Sequence, residues 1–151
     1  MRTWGEFAAA APTIAEAGRR LLYRDEKGAG LLSTVRGDGL PRIHPISVAI
    51  VEDRLVAVLL PSAKTNDLLE DGRYALHAEH DPAVPHEFVV RGRAHLIDDP
   101  ATRARFTANW YFGVADEESL FEFLIDHAVL GQRADAHDWP PHYSSWRSPA
   151  V

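Results

Sequence analysis

Residues 61–68, Pro-Ser-Ala-Lys-Thr-Asn-Asp-Leu, join a β-branched apolar run, Leu55–Leu60, to a helical pattern that begins at Leu68 and Leu69. The first turn of a helix leaves backbone N–H groups unpaired and lies at the positive end of the helix dipole. Ser62 has the side chain of an N-cap, and Lys64 adds a full positive charge where the dipole is already positive. Such a joint can hold an anion, and a phosphate above all. The same residues also describe an ordinary capped surface helix with a solvated lysine.

Other groupings carry less chemistry. His77, His80 and His86 are close in sequence, but a spacing of three puts the first two on opposite faces of a strand. Surface or loop histidines are expected there, and no metal site. His127 and the pair His137-Asp138 are accompanied by neither a serine in a nucleophile elbow nor a paired-carboxylate pattern, which argues against a hydrolase. With no cysteine, thiol nucleophiles, disulfides and thiolate metal sites are ruled out, and a cytoplasmic location is expected. A net charge of −6 and the lack of any Lys/Arg run argue against nucleic acid as a partner, so an anion site must be local. No stretch of 18 apolar residues occurs and the N-terminal region contains acids and a proline, so neither a membrane span nor a signal peptide is expected.

The elements that must position these residues fit one domain over 1–151, with 46% hydrophobic and 25% charged residues. Thr3 and Glu6 form a capping-box signature for a helix over about 3–22, broken near Pro12. Strands are expected at Ala29–Val35 and Pro41–Val51, joined by a hairpin at Asp38-Gly39, and then at Leu55–Leu60 after a tight turn at Glu52-Asp53-Arg54. A helix over about 62–71 ends at Gly72, and strands follow at Tyr74–Glu79 and Glu87–Ile97. Asp99-Pro100 opens a helix running through Phe106, Trp110 and Tyr111. Residues 119–130 fit both periods and are assigned to a sixth strand; the tail from Gly131 is expected to be irregular but packed through its aromatics. The fold class is therefore mainly β (α+β), a six-stranded antiparallel barrel with flanking helices, since closure removes the edges of short strands.

In order and spacing, Gly39-Leu40-Pro41-Arg42-Ile43-His44-Pro45-Ile46-Ser47, then Ser62-Ala63-Lys64, then Glu87-Phe88-Val89-Val90-Arg91-Gly92-Arg93-Ala94 resemble the FMN-binding split β-barrels of the pyridoxamine 5′-phosphate oxidase type. The resemblance covers roughly residues 25–105. It implies a homodimer with FMN across the interface and a flavin-dependent oxidoreductase acting on a small molecule. It further implies that Pro45, Ile46 and Ser47 line the isoalloxazine edge, with Ser62, Lys64, His44 and Arg42 near the phosphate. Glu87 stands where these oxidases commonly have a glutamine reaching the flavin, and Trp146 is a C-terminal aromatic for a neighbouring subunit's flavin. The sequence departs from the pattern at Ala63 and His44, each in place of a cation, and has no Arg-x-His substrate clamp near its C-terminus. Two alternatives stay open: a deazaflavin-dependent reductase of the same fold, and a non-catalytic flavin- or ligand-binding protein. No catalytic residue is assigned.

Overall fold

The computed structural model describes residues 1–150. In chain order the elements are α1 (Trp4–Ala10), α2 (Pro12–Leu22), β1 (Gly28–Val35), β2 (Pro41–Val51), β3 (Arg54–Leu59), α3 (Ala63–Glu70), β4 (Arg73–Ala78), β5 (Glu87–Leu96), α4 (Pro100–Thr107), β6 (Ser119–Gln132) and β7 (His142–Arg147). All ladders are antiparallel, in the order β3-β2-β1-β4-β5-β6-β7, and a β3–β6 pairing closes six strands into a barrel.

Strand β6 explains how the barrel both closes and splits. Its first residues, Ser119–Glu122, pair with β3, while His127–Gln132 pair with β7. Both faces of β6 are covered: Phe123, Ile125, Ala128 and Leu130 lie in the main core, and Leu120 packs with Phe106, Val56 and Ala49 beneath α4. Two buried faces remove any clean alternation, which is why helix and strand were hard to tell apart in this stretch.

The N-terminal helices close one side of the barrel. The Thr3 hydroxyl accepts from the Glu6 N–H at 3.3 Å, and the Glu6 carboxylate accepts from the Thr3 N–H at 2.9 Å, which completes the expected capping box. Pro12 starts α2 at its first position, so the break falls at Ala11. Trp4 meets Phe7 at 5.4 Å and Phe88 at 6.2 Å, joining α1 to the core. Between β2 and β3, Glu52 and Asp53 take φ of 48° and 61°, a two-residue turn whose twist suits a tight hairpin although neither residue is glycine.

Two expectations are corrected. The tail is not wholly irregular, because His142–Arg147 adds the strand β7 along β6. The helix after Asp99 stops at Thr107; beyond it the Tyr111 hydroxyl accepts from the Gly28 N–H at 2.9 Å and donates to the Val48 carbonyl at 2.8 Å, which a continued helix would not allow. Among the described residues no helix is long and apolar enough to cross a membrane, and no three potential metal ligands converge.

Candidate flavin and anion site

Strand β2 lies beside β1 with Arg42 opposite Thr34 and His44 opposite Leu32. Directly opposed residues share a face, so Arg42 and His44 turn toward the side where Thr34 and Leu32 are buried. That side is covered by α3, whose Asp67 is 7% exposed. The Thr34 hydroxyl donates to Asp67 Oδ2 at 2.7 Å, and Arg42 Nε donates to the same oxygen at 2.9 Å. Burial alone would raise the pKa of this carboxyl, but the two hydrogen bonds and the charges of Arg42 and Arg36 hold it below its ordinary 3.8. Arg42 is therefore tied into a three-element clamp through its Nε.

His44 is next to this clamp, and its Nε2 is buried with no hydrogen-bond partner. Burial, then the charges of Lys64 and Arg42, push its pKa below the ordinary 6.5 against an opposing pull from Asp67. The imidazole is thus neutral near pH 7 in the free protein.

Ser62 is the N-cap residue of α3, with extended backbone, but its side chain caps no N–H. Thr65 spends its one hydroxyl hydrogen on the Leu60 carbonyl at 2.7 Å, so across the 3.2 Å contact between the two hydroxyls Ser62 is the donor. No side chain satisfies the first turn of α3, which leaves its N–H groups to solvent or a ligand. Lys64 lines a surface hollow of about 220 Å³ together with Pro45, Ile46 and Ser47 of β2 and Leu59 and Leu60 from the end of β3.

Part of the lining of that hollow was not legible as a site. Trp110, Phe112 and Glu118 line it. Glu118 is held by the Ala115 N–H at 2.7 Å, and the Phe112 ring lies 4.5 Å from the Lys27 ammonium. The available signal was the aromatic run Trp110-Tyr111-Phe112, of which Trp110 also fits the continuation of a helix face from Phe106.

The expected site residues do not all meet in one chain. Pro45, Ile46, Ser47 and Lys64 share the hollow, with Arg42, His44 and Ser62 around the helix start. Glu87 is elsewhere, at the head of β5, where its carboxylate accepts from the Tyr143 hydroxyl at 2.8 Å. Trp146 pairs with Ala128 across β6–β7 and packs its ring on Phe7 at 5.1 Å, inside its own chain.

No protein-family model matches the chain, and no curated protein matches it in sequence. Solved structures do match. A protein related to general stress protein 26, of the pyridoxinephosphate oxidase family, from Clostridium acetobutylicum has a TM-score of 0.66 at 11% identity, covering 90% of this chain and 94% of that one. A heme binding protein from Mycobacterium smegmatis has a TM-score of 0.64 at 15% identity, with 87% of this chain matched to 57% of that protein's length. An FAD-binding protein from Mesorhizobium loti has a TM-score of 0.55 at 21% identity, covering 75% and 89%. The fold is thus the split barrel of the pyridoxamine 5′-phosphate oxidase-like proteins, as the sequence resemblance implied.

Proposed function

We propose that the protein binds FMN and works as a flavin-dependent oxidoreductase, with the phosphate at the start of α3 and the ring along β2. The observation that carries this is the hollow that Pro45, Ile46 and Ser47 of β2 and Lys64 of α3 line together. Lys64 and the free N–H groups of the first turn of α3 supply the anion-binding donors, and β2 supplies main-chain groups for a ring edge. The buried Nε2 of His44, opposite Leu32 on the sheet, is an unsatisfied polar atom.

At about 220 Å³ the hollow is below the ~300–1,000 Å³ of typical ligand sites. A second copy would enlarge it, and Glu87 and Trp146, both outside the hollow of their own chain, would reach a flavin only from a partner. The proposed assembly is therefore a homodimer with shared sites, in which flavin binding and self-association would strengthen each other. A bound flavin would itself carry the hydride or electrons. The chain's residues bind the phosphate, orient the ring and exclude water, with Trp110 and Phe112 among those that bound the space. A deazaflavin, with its longer anionic tail, is the less favoured cofactor because Arg42 is held by Asp67 and extends the basic surface little.

The absorption spectrum of the purified protein, before and after incubation with FMN, tests this function. Two flavin bands that remain after desalting support it. A single shorter-wavelength band would indicate deazaflavin, and no retained chromophore would refute flavin binding.

A further inference from the structure

Around His44 stand Lys64 and Asp67 from α3 and Arg42 from its own strand; β1 presents Leu32 and Thr34 there, neither of which titrates. Arg42 and Asp67 are joined at 2.9 Å and cancel each other. Two cations less one carboxylate leave a single positive charge, carried by Lys64. Phosphate monoesters carry nearly two negative charges above pH ~7 because their second pKa is about 6. Lys64 offsets one of those charges and the helix start about half of another, so such a ligand still lacks part of its counter-charge.

The cluster holds one group able to supply it. The neutral His44 ring has an uncommitted buried nitrogen, Nε2, and no salt bridge. In the free protein burial, and then the cations nearby, oppose its protonation; a dianion at the helix start reverses the sign of the field that those cations set up. We propose that the anion site selects ligands by charge state: a phosphate dianion enters together with one proton, which the His44 ring takes from solvent to become imidazolium, while a singly charged phosphodiester enters with none. The inference rests on the flavin site proposed above. The step forms one N–H bond on the ring at the expense of a buffer acid and changes no other bond. Its consequence is a preference that depends on pH. FMN affinity falls by up to about tenfold per pH unit while uptake is complete, and the affinity of a monoanionic diester stays flat.

Isothermal titration calorimetry of the full chain with FMN, its 5′-phosphate methyl ester and riboflavin, each in MOPS and in Tris near pH ~7.5, counts the protons taken up. The expected result is about half to one proton per FMN and about none for the methyl ester or riboflavin. In His44→Gln, uptake with FMN should vanish. The comparison of FMN with its methyl ester uses wild-type protein alone, so it decides even if the variant folds poorly. FMN that binds tighter than riboflavin with the same proton count as the methyl ester would overturn the inference and leave the phosphate site standing. Undiminished uptake in a folded His44→Gln would overturn it too, by placing the proton on the phosphate. FMN binding no tighter than riboflavin would overturn both.

Discussion

Removing the negative charge of Asp67 should weaken the fold and strengthen the anion site together. Asp67 is 7% exposed and accepts two hydrogen bonds on one oxygen, from Thr34 at 2.7 Å and Arg42 at 2.9 Å. In Asp67→Asn the amide oxygen can still accept both, but the bond to a guanidinium that is about one-third exposed loses its charge assistance. Bonds to charged groups are worth about 1.5–3 kcal/mol net, and partial exposure lowers that, so a stability loss of roughly 1–3 kcal/mol is expected. Asp67 lies four residues along α3 from Ala63, about 6 Å of helical rise, which puts its carboxylate roughly 8 Å from an anion at the helix start. At that separation and an effective dielectric constant of about 20–40, one unit charge contributes about 1–2 kcal/mol per unit of ligand charge. FMN should therefore bind at least about tenfold more tightly to Asp67→Asn at low salt, although the protein unfolds at lower urea. Unchanged or weaker FMN binding in a folded Asp67→Asn would show that the clamp does not face the anion site. The carboxyl's depressed pKa fixes the pH dependence: its stabilising effect is present above the ordinary 3.8 and lost as pH falls toward the lower folded value. The stability gap between wild type and variant should accordingly close below pH ~4 in urea titrations.

Lys64→Ala should weaken FMN binding by about 1–3 kcal/mol, roughly 5- to 150-fold, with little change in melting temperature because the residue is partly exposed; equal dissociation constants at low ionic strength would remove Lys64 from the site. Gly18→Ala should destabilise by about 1–3 kcal/mol despite alanine's better helix propensity, because its Cβ would come within 2.2 Å of the buried Phe88 ring; thermal melts would show it. Asp53→Gly should stabilise by about 1 kcal/mol by relieving a residue at φ 61°, read as a higher urea midpoint. Sedimentation should show FMN shifting the protein toward dimer, and a monomer holding FMN stoichiometrically would refute the shared site.

Much of the barrel was legible because its strands end in strong punctuation. Asp38-Gly39 turns one hairpin with Gly39 at φ 82°, and Gly72 at φ 74° separates α3 from β4. Strand β7 was missed because Tyr-Ser-Ser-Trp-Arg alternates poorly and, at the sheet edge, buries little; pairing with β6 makes it a strand. Within the site, Lys64 and the Pro45–Ser47 segment could be found from local spacing. The Asp67 clamp could not, since it joins residues 25 and 33 positions apart. Nor could the commitment of Ser62 to Thr65, which depends on where the Leu60 carbonyl points. The neutral state of His44 likewise comes from burial, and then from cations, that only the fold provides.

The central claim is that a phosphate anchors a flavin at the start of α3. Fluorescence titrations of FMN and riboflavin against the same protein at low salt test it most directly, because the two ligands differ only in the phosphate. FMN should bind at least about tenfold more tightly than riboflavin, and this margin should shrink in Lys64→Ala and at high salt. Equal affinities for the two flavins, or a margin that Lys64→Ala leaves intact, would contradict an anion site at this helix start.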